Sequence, residues 1–269
     1  MRRLLLALAL IGPTMWSGPV LAQDFFAGYS AFMLGDYETA LQNWRPLAEQ
    51  GNADSQTSLG VLYDDGVGVS QDYAEAAKWF RLAAEQGNAY AQFRLGIAYG
   101  KGVGVPQDYA EAEKWYRLAA EQGNADSQTS LGAVYAQGEG VPQDHAEAAK
   151  WFRLAAEQGR ADAQVLLGIA YSKGEGVPQD YAEAAKWFRL AAEQGLGEAQ
   201  SLLGYAYAVG EGIPQDYVLG HMWLNISASL GFQAAADLRE TVSGKMTSNQ
   251  IAEAQRLARE CVAKNYKGC

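Results

Sequence analysis

Histidine and cysteine are nearly missing from this chain: 269 residues contain two of each. His145 and His221 form no pair with Cys261 and Cys269 at a metal-ligand spacing, and no nucleophile elbow is present, so zinc chemistry and nucleophilic catalysis are not expected. No cofactor-binding or metal-binding residues are expected either. Positive charge is also short, with 21 Lys and Arg against 31 Asp and Glu and a net charge of −10. An acidic chain repels phosphate backbones and anionic lipid, which excludes nucleic acid as an expected partner. The apolar run over 4–11 is short for a membrane span. Preceded by Arg2 and Arg3 and followed by Val20-Leu21-Ala22, with small residues at the −3 and −1 positions, it reads as a secretory signal peptide over 1–22. An uncleaved anchor is the alternative. Loss of those two arginines takes the net charge from −10 to −12.

What the chain has in abundance is glycine, 30 residues, most of them at fixed places in a repeat. Gly51, Gly87, Gly123, Gly159, Gly195 and Gly231 stand 36 residues apart without insertion or deletion. A strict period of this length indicates a stacked array of helical units rather than an enzyme core. Five full repeats occupy 52–87, 88–123, 124–159, 160–195 and 196–231. In the third, Gln128, Leu131, Gly132 and Tyr135 share one face of a first helix over about 125–136. Gly132 recurs as Gly60, Gly96, Gly168 and Gly204, and a glycine costs a helix about 1 kcal/mol relative to Ala. Five such costs predict a close helix–helix approach there. Gly138, Gly140 and Pro142 end that helix. Asp144 begins a second, and Asp144 with Glu147 has capping-box spacing, as have Asp72/Glu75, Asp108/Glu111 and Asp180/Glu183. Ala148, Trp151, Phe152 and Ala155 supply its apolar side, and Gly159 its left-handed stop.

The pattern A-x-x-L-G-x-x-Y-x-x-G-x-G-V-P-Q-D-x-x-x-A-x-x-W-x-x-x-A-A-x-x-G resembles the Sel1-like repeat, a relative of the tetratricopeptide repeat with a longer loop between its helices. The resemblance covers 52–231, with a partial repeat on each side. It implies an all-α, right-handed α-solenoid of helical hairpins and an adaptor role in protein–protein contact. Residues 23–51 read as a degenerate N-terminal capping hairpin, with Trp44 where later repeats have Phe80 or Phe152. In the fifth repeat the charged positions of Glu75, Lys78 and Arg81 become Leu219, Met222 and Asn225. The segment 218–226 is therefore apolar nearly all round and needs a cover. Residues 232–269 are expected to supply capping helices, near 232–242 and 249–263, with Ile251, Ala254, Leu257 and Cys261 inward. A dimer partner is the alternative cover, and a monomer is expected. Cys261 and Cys269 are expected to pair in an oxidising compartment; two free thiols are the alternative.

His145 stands where other repeats have Tyr73, Tyr109, Tyr181 and Tyr217 and reads as a structural variant; His221 reads as a packing residue. The G-x-G strings follow helices, not strands, and read as turns rather than nucleotide fingerprints. The ladder Trp79, Trp115, Trp151, Trp187 and Trp223 reads as core rather than as a platform for sugars. The amides of Gln56, Gln92, Gln128, Gln164 and Gln200 are expected to bond loop backbone.

Recognition is expected where the repeats differ. By the resemblance, first helices line a concave groove, so their varying stripe faces it. Tyr90, Arg94, Ile97, Lys101, Leu166, Ile169, Lys173, Leu202 and Tyr205 are the candidate protein-binding residues, a mixture suited to a peptide or helix laid in a groove. The competing reading has the apolar members packing between hairpins. The chain is thus expected to be a non-enzymatic, periplasmic or secreted scaffold that binds a protein or peptide segment. The family's exported bacterial members suggest an envelope signalling receptor or a host protein as partner. The alternative is a cell-wall- or carbohydrate-associated envelope factor.

Overall fold

Glycine and proline interrupt the helix-forming stretches at fixed intervals, and the chain breaks into helices at those points. The computed structural model describes residues 17–269; residues 1–16, most of the expected signal segment, lie outside them. The described residues form fourteen α-helices and no strands. They divide into two compact units, one ending at Gln122 and one running from Gly123 to Cys269. In the first unit α1 (Ser17–Met33) pairs with α2 (Tyr37–Glu49), α3 (Ala53–Asp65) with α4 (Tyr73–Glu85), and α5 (Ala89–Lys101) with α6 (Tyr109–Glu121). In the second, α7 (Ala125–Gln137) pairs with α8 (His145–Glu157), α9 (Ala161–Lys173) with α10 (Tyr181–Ala192), and α11 (Gly197–Val209) with α12 (Tyr217–Ser229). Helices α13 (Gln233–Ser243) and α14 (Ser248–Ala263) both lie against α12. Within each unit successive hairpins stack, so the fold is an all-α array of helical hairpins.

The mid-helix glycines have the close approach their cost implies. A Cβ on Gly60 would stand 2.6 Å from the Phe80 ring, and one on Gly96 2.6 Å from the Tyr116 ring. Gly132 meets Phe152 and Gly168 meets Phe188 at similar range. Gly28 meets the Trp44 ring in the same way, so the irregular first hairpin keeps this contact with a larger aromatic. In each case an aromatic ring on the second helix fills the space that a side chain on the first would occupy. Burial of large side chains in such contacts contributes about 1.5–3 kcal/mol apiece, which outweighs the helix cost of glycine.

The helix ends use side chains to satisfy backbone groups that have no partner inside the helix. Asp72, Asp108, Asp144 and Asp180 each accept hydrogen bonds from first-turn amides of α4, α6, α8 and α10. The reciprocal half of the expected capping box is not made. Glu75 and Glu147 instead hold Lys78 and Lys150 at 2.8 Å, and Glu183 holds Lys186. The amide that a capping box would use is already engaged: Asp72 N donates to the Tyr63 carbonyl and Asp144 N to the Tyr135 carbonyl, each at 2.9 Å. A full capping box, between Thr247 and Gln250, starts α14. At the other end of the first helices, Gln71, Gln107, Gln143, Gln179 and Gln215 donate at 2.7–2.8 Å to carbonyls of the last turn. These are the glutamines of the recurrent Q-D dipeptide, so that dipeptide ties off one helix and starts the next.

The buried glutamine series bonds helix ends, not loops. Gln56, Gln92, Gln164 and Gln200 donate at 3.0–3.2 Å to the carbonyls of Ala48, Ala84, Ala156 and Ala192, near the C-terminus of the preceding hairpin's second helix. Those carbonyls belong to the last turn, where acceptors are left over. In four of the five the amide oxygen accepts from a second glutamine: Gln86 donates to Gln56, Gln122 to Gln92 and Gln158 to Gln128 at 2.7 Å, and Gln194 to Gln164 at 2.9 Å. In the fifth repeat that donor position is Leu230, and the buried Gln200 Oε1 has no partner. Leu230→Gln is therefore expected to stabilise the second unit by about 1 kcal/mol, the net worth of one hydrogen bond. A rise in the urea midpoint at unchanged slope checks this.

A second link between hairpins was not legible in the repeat pattern. Arg45 and Arg153 donate to Tyr63 Oη at 3.0 Å and Tyr171 Oη at 2.6 Å, and Arg81 and Arg189 donate to Tyr99 and Tyr207. The guanidinium groups of Arg81, Arg153 and Arg189 also lie 5.5–5.7 Å from the same ring centres. Each of these arginines thus holds the tyrosine of the next hairpin by a hydrogen bond, to which Arg81, Arg153 and Arg189 add a cation–π contact.

Helix α12 is buried along both sides, with Gly220, His221, Met222, Trp223, Leu224, Ile226 and Ser227 enclosed. Ala235 and Val242 of α13 cover one side, and Ala258 and Cys261 of α14 the other. Burial, then the charge of Arg239, holds the His221 imidazole below its usual value and favours its neutral form. Cys261 and Cys269 are joined by a disulfide, with their Cα atoms 5.7 Å apart.

Candidate functional site

The exposed side of the first helices follows from the same glycine contacts. Leu95 and Gly96 are turned into the hairpin, which leaves the stripe Tyr90, Arg94, Ile97 and Lys101 on the open side of α5. Tyr90 is 42% exposed, Lys101 is exposed, and Arg94 and Ile97 are half-buried. All four line a cavity of about 420 Å³ in the first unit. Its other walls come from α4, through Tyr73, Ala76, Ala77 and Phe80, and from Asp64 at the end of α3. Small alanines on α4 open the space, and aromatic rings bound it.

The charges in this cavity are organised. Arg94 reaches across to Asp64 in an ion pair, donates to Tyr90 Oη at 2.7 Å, and lies over the Phe80 ring at 5.4 Å and the Tyr90 ring at 5.7 Å. Burial lowers the Arg94 pKa from its ordinary value, the cost of holding a guanidinium half out of water. This pair is specific to the place: the positions equivalent to Asp64 in later repeats are Gly100, Ala136, Ser172 and Ala208. Asp64 escaped the sequence reading because it stands one place before the varying stripe, at a position that is small elsewhere.

The equivalent space in the second unit is smaller, about 120 Å³. Leu166 and Ile169 of α9 line it, with Ala133, Ala148, Ala149 and Phe152 opposite. His145 takes the position of Tyr73 in its wall, so the substitution that reads as a structural variant stands at a surface a ligand can reach. Lys173, Leu202 and Tyr205 line neither cavity. Lys173 pairs with Glu175 at 3.8 Å, and Leu202 and Ile169 pack against the core of the second unit. Tyr205, 41% exposed, stands on the open side of α11. The nine candidates therefore separate: four in one cavity, two in the other, three in neither.

The tryptophan ladder is not available as a platform for sugars. Trp115 and Trp223 are buried, Trp79, Trp151 and Trp187 are half-buried, and the indole nitrogens of Trp79, Trp115, Trp151 and Trp223 are enclosed. Among the described residues no group of three or more His, Cys, Asp and Glu is placed to hold a metal ion. No described helix is long and apolar enough to cross a membrane.

Comparison with known proteins gives a consistent result. The family model of the Sel1 repeat matches residues 53–88, 89–124, 125–159, 161–196 and 197–232, one residue out of step with the 36-residue frame at most boundaries. A crystal structure of a Sel1 repeat protein from Oxalobacter formigenes is 38% identical over 76% of this chain and 84% of that one, with a TM-score of 0.72. A protective antigen of uropathogenic Escherichia coli with an SLR fold is 29% identical over 91% of this chain and 70% of that one, at a TM-score of 0.44. A Sel1 repeat protein from Klebsiella pneumoniae is 27% identical over 74% and 97% of the two chains, at 0.47. No curated protein matches.

Proposed function

The chain belongs to the Sel1 repeat family, and from that premise we propose that it is a non-enzymatic scaffold that binds a protein segment along the open side of its first helices. Sel1 repeat proteins are generally non-catalytic and mediate protein–protein contact. The observation that carries the proposal is the cavity of about 420 Å³, into which the whole varying stripe of α5 converges. Repeats two and four differ from their neighbours at these positions, while residues that serve folding recur. Half-buried aromatic and aliphatic walls with a few fixed polar groups are the composition of a recognition site. The bacterial envelope is the proposed location: the Cys261–Cys269 disulfide persists in an oxidising compartment.

A photo-crosslinking experiment tests this. Benzoylphenylalanine placed at Tyr90 is expected to give discrete protein adducts in intact cells, and the same group at Lys78, on the outer face of α4, is expected to give none of them. Identical adducts from both positions would count against a groove on the first helices.

A further inference from the structure

The two cavities occupy equivalent places in the repeat, and beyond the Arg94–Asp64 pair they differ in a second electrostatic respect. Lys173, outside the lining of the smaller cavity, pairs at 3.8 Å with Glu175, which belongs to that lining. In the larger cavity the residue equivalent to Lys173 is Lys101, and the residue equivalent to Glu175 is Val103. The other charged groups lining the larger cavity, Asp64 and Arg94, neutralise each other. The exposed Lys101 ammonium is thus the one lining charge without an ion pair among the described residues, and it sits at the rim of an apolar chamber walled by Tyr73, Phe80, Tyr90 and Ile97.

Resting on the groove reading, we propose that the larger cavity receives a bulky apolar side chain of the partner segment, with a carboxylate beside it held by Lys101. The volume accommodates a ring, which aromatic walls bind edge-on or offset. An ammonium at the rim of such a chamber prefers an anion nearby, and a ligand carboxylate takes the place that Glu175 fills in the other cavity. The net charge of −10 does not oppose this at contact range. In physiological salt, charges beyond about 8 Å are screened, so the local ammonium decides. The partner segment is accordingly apolar and acidic.

Two probes that differ only in charge test the assignment on the full chain: N-acetylphenylalanine, with a free carboxylate, and its neutral amide. Both are titrated against methyl-labelled protein and followed by NMR at Ile97 and Ala98. The acid is expected to bind about two- to fivefold more tightly than the amide, the range of an exposed ion pair, and added salt to narrow the difference. Lys101→Gln should abolish the preference and Lys101→Glu reverse it. Equal binding of acid and amide by the native chain overturns the carboxylate assignment and leaves the groove standing. A preference that survives Lys101→Gln overturns it as well. Failure of both probes to move the cavity methyls overturns the assignment of the chamber to an apolar side chain; adducts from position 90 would then still support the groove.

Discussion

Gly176→Ala is expected to destabilise the second unit by about 2–5 kcal/mol, a large fraction of the stability of a marginally stable fold. Gly176 has φ +75°, where an L side chain costs about 1–2 kcal/mol. A Cβ there would stand 1.9 Å from the His145 carbonyl oxygen and 2.6 Å from Ala146 N. Those are backbone atoms of the first turn of α8, so no rotamer change relieves the clash, and overpacking adds roughly 1–3 kcal/mol. The loop has no freedom to retreat. Asp180 N donates to the Tyr171 carbonyl at 2.9 Å and Gln179 Nε2 to the Ser172 carbonyl at 2.8 Å, one on each side of the turn. Gly159 is the control. Its φ is +92°, but nothing lies within 4 Å of its would-be Cβ. Gly159→Ala should therefore cost only the conformational part, about 1–2 kcal/mol. Urea denaturation of both variants measures the difference, and equal costs would show that loop–helix contact is not what selects glycine at 176.

Trp223→Ala is expected to cost about 3–5 kcal/mol, the range for truncating a fully buried aromatic. Trp223 has 0% exposure and joins α12 to Phe188, Leu203, Ala258 and Cys261 in one cluster. Its indole nitrogen makes no hydrogen bond. Trp223→Phe should therefore lose volume without leaving a polar group stranded, at a cost of about 1–2 kcal/mol. A large loss for the phenylalanine variant would mean that the nitrogen has a partner. The same truncation at the half-buried Trp79 should cost less than at Trp223, because less apolar surface leaves water there on folding. The tryptophan position is thus one place in the repeat with several energetic values, set by what covers each copy.

Much of this was legible before any coordinates. The aspartate that starts each second helix, the glycine that stops it, and the mid-helix glycine that admits a ring are local or short-range requirements, and a period of 36 repeats them in register. Other features depend on which side chains meet across hairpins. Gln56 was legible as a buried amide in need of partners, but its bonds to Ala48 and Gln86 follow from stacking. Glu75 had the spacing of a capping box but pairs with Lys78, because the Asp72 amide it would accept from donates to the Tyr63 carbonyl across the turn. Arg81 was legible as a charged position of the second helix, but its bond to Tyr99 of the next hairpin follows from stacking.

The binding stripe divides in the same way. Variation among repeats picked out Tyr90, Arg94, Ile97 and Lys101, which converge on one cavity, but it gave equal standing to Leu202, which packs into core. It passed over Asp64, whose meaning depends on Arg94 thirty residues away. By itself the sequence determined the helical hairpins and the period in which they recur, because helix caps, turns and apolar periodicity act within a few residues of one another. Only the tertiary structure decided which varying residues share a cavity, which charges cancel there, and that Lys101 is left over. Those outcomes are set by distances between helices that no local propensity encodes.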